Sequence, residues 1–299
     1  MANFWDEQAK NKWYSYALMA IVVLLIVGLG LFAGYALDFG FALVPIALLF
    51  SIFYAVCGYY FGDKVVLAAT GARPAEGNEL IYLNNVTEGL ALAAGIPAPK
   101  AYVIDDPSPN AFATGRDPQH ASIAVTTGLL QRMNRAELEG VVAHEMSHVR
   151  NLDIKFMTLT VVLVGLVTIL ADLVFRSMLF GGTGNNRRDK GGAGILTIIG
   201  ILFIILSPIL AQLIKLAISR KREFFADASA AQLTRNPEGL ASALEKLKIA
   251  PPMQQKSDAT SALFIGDPNG GKSSLGARIS GLFSTHPPLD DRIRILRAM

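Results

Sequence analysis

The sequence predicts an α-rich α+β fold, in which several membrane helices accompany a water-exposed domain with a small β-sheet. Three observations lead there. The 299 residues are 52% hydrophobic and 17% charged, with mean hydropathy +0.40, which is more apolar than a soluble domain of this size. Long uncharged runs occur in two pairs, each pair separated by a short polar break. Between and after the pairs, helical periodicity alternates with short β-like runs.

The first pair forms an N-terminal hairpin, residues 1–64. No charge interrupts Trp13–Leu37 or Phe39–Gly62, and only Asp38 separates them. Each run exceeds the ~20 residues a spanning helix needs. Trp13, Tyr14 and Tyr16 at one end, and Tyr59 and Tyr60 at the other, suit the membrane–water interface. Lys10 and Lys12 precede the hairpin and Lys64 and Arg73 follow it, so the positive-inside rule puts both flanks in the cytoplasm. This implies an integral inner-membrane protein with cytoplasmic termini. Cys57, the single cysteine, lies within the second run. One cysteine excludes a disulfide framework and a thiolate metal site within the chain. A net charge of only +3, with no basic stripe interleaved with aromatics, argues against nucleic acid as a partner.

Residues 65–154 are soluble in character. Asn78–Ala94 has helical periodicity and stops at Gly95, with Pro97 beyond. Ala101–Ile104 and His120–Val125 read as strands, and Asn110–Thr114 as a shorter one between them. Asn134 and Glu137 then form a capping box ahead of a helix with an apolar stripe at Leu138, Val141, Val142, Met146 and Val149.

Residues 155–218 form the second hydrophobic hairpin. Phe156–Ala171 is uncharged but only about 24 Å long as a helix, short of a ~30 Å hydrocarbon core. Gly191–Ile214 is a fuller span, with Pro208 as a kink. A crossing hairpin and a re-entrant or peripheral one both remain open. Residues 219–299 return to soluble character and look helical. Asn236-Pro237-Glu238 starts one helix and Leu289–Ala298 closes the chain. Together with 65–154 they make one discontinuous domain.

The chemistry centres on His144-Glu145-Met146-Ser147-His148, the pattern H-E-x-x-H. On a helix, positions i and i+4 share a face, so both imidazoles can reach one metal ion. Glu145 stands where its carboxylate can take a proton from an activated water. A catalytic zinc site needs a third protein donor. Glu223 and Asp227, again four apart, are the best candidates, one to bind the metal and one to hold a metal histidine by its other ring N–H. Since His144 and His148 precede the second hairpin and Glu223 follows it, that hairpin must return to its starting side. The site must also lie close above the bilayer.

H-E-M-S-H, R-E-F-F-A-D (222–227) and S-T-H-P-P-L-D-D-R (284–292) together resemble the HtpX-type membrane zinc peptidases, relatives of the CAAX prenyl proteases. Their order and the flanking apolar hairpins match as well, so the likeness covers nearly the whole chain. It implies a cytoplasmic gluzincin-like domain and one Zn²⁺ per chain, held by His144, His148 and Glu223, with Asp227 in support. It implies Glu145 as catalytic base, His286 and Arg292 near the scissile carbonyl, and Asn110, Ala111 and Phe112 on a substrate-binding edge strand. Substrates would be membrane proteins or unfolded polypeptides, cleaved in cytoplasmic regions as protein quality control. A metal-binding membrane scaffold or a transporter without turnover is the rival reading.

Residues Gly266–Ser273 fit the phosphate-loop pattern G-x-x-x-x-G-K-[ST], yet only Leu263-Phe264-Ile265 leads in and no βαβ series surrounds them. A flexible loop, not an ATP site, is the reading here. His120 is expected to be a turn residue.

Overall fold

A computed structural model describes residues 4–36, 40–180, 220–254, 260, 263–266 and 287–299. Among them run nine α-helices and four strands: α1 (Phe4–Ala36), α2 (Leu43–Ala69), β1 (Arg73–Pro74), α3 (Gly77–Ala94), β2 (Lys100–Ile104), β3 (Ala111–Gly115), β4 (Ala121–Thr126), α4 (Thr127–Arg132), α5 (Arg135–Arg150), α6 (Asp153–Phe180), α7 (Arg220–Thr234), α8 (Pro237–Lys248) and α9 (Leu289–Arg297). The second apolar run of the second hairpin, His286 and the Gly-rich residues after Gly266 lie outside the described residues.

Two helices, over Asn11–Gly28 and Gly40–Ala69, are long and apolar enough to cross a membrane. The outer face of α2 exposes Ile46 (63%), Leu49 (71%) and Phe53 (65%), a surface suited to lipid rather than water. Its inner face is small: a Cβ on Gly62 would stand 3.0 Å from Thr158 Cγ2, and one on Gly58 3.3 Å from Val162 Cγ1. Small residues let α2 and α6 approach closely, as packed membrane helices do. Tyr54 donates its hydroxyl to the Val162 carbonyl across the same seam (2.8 Å). At the end of the hairpin the Lys155 ammonium sits over the rings of Tyr59 (4.9 Å) and Tyr16 (5.3 Å), tying α6 to both apolar helices. Helix α6 runs on through Asp172 and Arg176 to Phe180, 28 residues or about 42 Å. The uncharged stretch alone had suggested a shorter element.

The sheet has the order β1-β2-β4-β3. β2 and β4 are parallel, β3 runs antiparallel to β4 with Ala111 opposite Val125, and the two-residue β1 is an addition that its Pro74 conceals in the sequence. Strand β3 is therefore an edge. Helix α5 packs in the core of this domain, where Leu138, Val141, Val142, Met146 and Val149 meet side chains of the sheet and of α3, α7 and α8. The capping box forms as expected: Asn134 accepts from the Glu137 N–H (3.0 Å) and Glu137 accepts from the Asn134 N–H (2.8 Å). Gly140 lets α8 come in close, since a Cβ there would meet the Leu240 nitrogen at 2.7 Å.

Between α5 and α6 the chain turns at Leu152, a non-glycine residue in the left-handed region with φ 61°. After that turn Asp153 lies against His148, the position on which the site depends.

Candidate active site

Within α5, His144 and His148 project from one face, as their spacing requires. Their Nε2 atoms face each other at 3.3 Å and both side chains are buried. From α7, Glu223 brings Oε2 to 3.7 Å from His144 Nε2 and Oε1 to 3.6 Å from His148 Nε2. One donor atom from each of the three residues falls within 4.8 Å of the others.

The far side of each ring explains why these donors suit a cation. His144 Nδ1 donates to Asp227 Oδ1 (3.0 Å), and His148 Nδ1 donates to Asp153 Oδ2 (2.9 Å). With each proton committed to Nδ1, a neutral ring turns a lone pair outward at Nε2. Two such lone pairs aimed at one point beside a buried carboxylate call for positive charge between them, which a metal ion supplies and, without one, a proton on His148. The donor set thus fits a metal ion.

Two further bonds hold Asp227. Arg292, fully buried on α9, donates Nε to Asp227 Oδ2 (2.8 Å) and Nη2 to Asp227 Oδ1 (2.7 Å). Burial pushes the Asp227 carboxyl up, but the guanidinium charge reverses this and holds it below the ordinary carboxylate range. Arg292 also places Nη1 3.4 Å from Glu223 Oε2 and Nη2 3.3 Å from His144 Nδ1. The resemblance had put Arg292 near a scissile carbonyl; in the structure its guanidinium lies behind His144 and locks the carboxylate that orients that ring.

Asp153 is the residue that reading the sequence missed. A carboxylate five positions past the second histidine was a usable signal, but a continuous helix would have carried it elsewhere. The left-handed position itself is a leucine rather than a glycine or asparagine, so nothing at that position announces the turn.

Glu145 is buried and accepts a hydrogen bond from the Ala113 N–H of β3. Burial raises its pKa to about 7 despite the opposing charge of His148. Burial lowers His144, with the Asp227 hydrogen bond opposing. Burial also works downward on His148, but its hydrogen bond to Asp153 and the surrounding carboxylates prevail and lift it to about 9. In the metal-free protein His148 therefore holds the proton that a metal has to displace.

The remaining expected residues fall as follows. Ala111 and Phe112 are fully buried and Asn110 is 2% exposed. The first stretch of the β3 edge is taken by the chain itself. Ile265 donates its N–H to the Ala111 carbonyl (3.0 Å), and the Asn110 carboxamide clamps Gly266 by accepting from its N–H and donating to its carbonyl (both 3.1 Å). Phe264 sets its ring edge-on to Phe112 at 5.2 Å. Residues 263–266 form a bend, not the buried strand a phosphate loop requires. His120 closes a one-turn 3-10 helix, where its Nδ1 meets Asp117 Oδ1 (2.6 Å).

Two imidazoles and a carboxylate on one helix, a carboxylate from a second helix and a neighbouring edge strand form an arrangement that suits a metallopeptidase. Residues 79–299 match peptidase family M48. The chain is 45% identical over 298 residues to a Protease HtpX homolog of Thermoanaerobacter pseudethanolicus, covering 99% of this chain and 97% of that one. It is 44% identical over 298 residues to another from Caldanaerobacter subterraneus subsp. tengcongensis, again over 99% and 97% of the two chains. The crystal structure of Ste24p from S. mikatae is similar in fold, with TM-score 0.52 at 20% identity over 97% of this chain and 66% of that one. The chain belongs to peptidase family M48, as a membrane metalloprotease of the HtpX type.

Proposed function

We propose that this protein is a zinc-dependent endopeptidase that works at the cytoplasmic face of the inner membrane on membrane proteins or unfolded polypeptides, in a quality-control role. The convergence of His144, His148 and Glu223 beside Glu145 carries the reading. Zinc suits the donor set. Two Zn–N bonds of roughly 2.0–2.1 Å at a tetrahedral angle set their nitrogens about 3.3 Å apart, and the two Nε2 atoms are 3.3 Å apart. When bound, the ion supplies Lewis acidity that activates a water and polarises the scissile carbonyl.

The chain's own residues do the rest. Asp227 and Asp153 keep both rings in the tautomer that leaves Nε2 as a donor toward the metal. Glu145 accepts the proton of the attacking water and passes it to the leaving amine. Successive residues of a strand alternate in direction, and the Ala111 carbonyl points outward to Ile265, so the backbone of Ala113 points outward too. Substrate meets this edge at the Ala113 carbonyl, because the Ala113 N–H is held by Glu145 and the Gly115 N–H by Thr158. Asn110, Ala111 and Phe112 contribute to that edge through the segment 263–266 they hold. His286 retains the role near the scissile carbonyl that the resemblance implies. The proximity of the centre to the apolar helices favours substrates presented at the membrane.

Detergent-purified protein should cleave an unfolded protein substrate, lose that activity to a chelator and regain it with added Zn²⁺. Cleavage that survives the chelator, or none with zinc restored, would contradict the reading, and the second outcome would favour a metal-binding scaffold.

A further inference from the structure

We propose that Asn11, on the first apolar helix, is a positioning residue for the metal centre, acting through Asp153 on His148. Asn11 lies at the start of a segment apolar enough to cross a membrane, yet its side chain is only 1% exposed. An amide buried there without partners would be costly. Its bonds all lead toward the site. Nδ2 donates to Asp153 Oδ1 (2.7 Å) and to the Asn151 carbonyl (2.9 Å), while Oδ1 accepts from Arg222 Nη1 (3.4 Å). Asp153 and Asn151 follow His148 closely in sequence, and Arg222 directly precedes Glu223. One carboxamide thus grips the chain next to two of the three metal donors from well over a hundred residues away.

The carboxylate of Asp153 has two sides with separate duties. Oδ2 holds His148 Nδ1, and Oδ1 meets Asn11 with Arg222 Nε at 3.6 Å. Asn11 provides the short bond on the Oδ1 side, and Arg222 stands farther off. Without it the carboxylate is free to turn toward Arg222, and the plane that keeps His148 facing the metal is no longer fixed. Partners of this outer kind typically account for 10–100-fold in metal affinity. The first helix of the hairpin is then part of the metal centre as well as an anchor, and a shift of that helix in the membrane would reach the ligand through two hydrogen bonds.

The inference rests on the metal-centre reading above, and the test separates the two. Full-length protein in detergent micelles would be titrated for Zn²⁺ affinity by competition with a chromophoric chelator. Asn11→Ala should bind zinc about tenfold more weakly, the low end of that range. Asn11→Asp, the same shape without the donor, should lose at least as much and serves if the alanine variant does not fold. Ser15→Ala removes a buried hydroxyl bonded to the Asn11 carbonyl (2.8 Å), one turn along the same helix, and should keep wild-type affinity. Adding Asn11→Ala to Asp153→Ala should weaken binding no further, because both act through one contact. Wild-type affinity in Asn11→Asp while Asp153→Ala is weakened, additive losses in the double variant, or an equal loss in Ser15→Ala would each overturn the role of Asn11. Wild-type affinity in His148→Ala would instead overturn the metal-centre reading, and this inference with it.

Discussion

His144 and His148 present the same atom to the same point, yet different parts of the chain hold their far sides. Behind His144 stand Asp227 of α7 and Arg292 of α9, both buried and joined by a two-pronged ion pair. Behind His148 stand Asp153, at the first turn of α6, and Asn11 of α1, so this support comes from the apolar helices. One side is locked by a full charge and the other by a neutral amide, with Arg222 farther off. Helices α5, α7 and α9 build half of the centre, and the apolar helices α1 and α6 complete it. This accounts for a catalytic helix that leads directly into an apolar one.

The largest effect falls on the group both sides serve. Glu145→Gln should lower peptide turnover by roughly 10²–10⁴-fold while zinc content, measured by atomic absorption, stays at one per chain; retained turnover would remove Glu145 as the base. Next comes the charged lock. Arg292→Ala leaves Asp227 ionised and buried without its guanidinium and should destabilise the domain by about 3–5 kcal/mol, read from chemical unfolding. Arg222→Ala should cost clearly less, because Asn11 still holds Asp153; equal losses would erase the asymmetry.

Smaller effects follow at the carboxylates themselves. Asp227→Ala and Asp153→Ala should each weaken zinc binding by roughly 10–100-fold in chelator competition. If only one of them matters, the centre is not supported from both sides. The smallest effect is a proton. His148 has a pKa of about 9 in the metal-free protein, so near neutral pH it is charged and the metal has to displace its proton. Binding should release about one proton per ion, seen by calorimetry in buffers of different ionisation enthalpy. The sign follows directly: affinity should rise with pH and level off above about 9, where His148 is already neutral. Release of no proton would mean that Asp153 does not charge that ring.

Local signals made much of this legible in the sequence. The H-E-x-x-H spacing, the capping box at Asn134 and Glu137, and the four-residue step from Glu223 to Asp227 each follow helical geometry, and the structure contains both helices that carry them, α5 and α7. Strands β2, β3 and β4 were visible because alternation and flanking turn residues mark them. What stayed hidden depends on contacts between distant residues. Asn11 reads as one more polar residue ahead of an apolar run until Asp153 is beside it. Asp153 has no local mark of its role, because the turn that brings it to His148 is made at Leu152, a residue type that rarely adopts that conformation. The first stretch of β3 looked open to substrate, but Ile265 and Gly266 come from more than 150 residues away to pair with it, and no local pattern reports such a pairing.

That two imidazoles from α5 and one carboxylate from α7 share a single ion is what the whole site depends on. Zinc-edge X-ray absorption on the purified protein tests it most directly. The account predicts two imidazole nitrogens and light oxygen donors around the metal, with one oxygen altered in Glu223→Gln. A shell lacking the imidazole pair, or a spectrum that Glu223→Gln leaves unchanged, would contradict it.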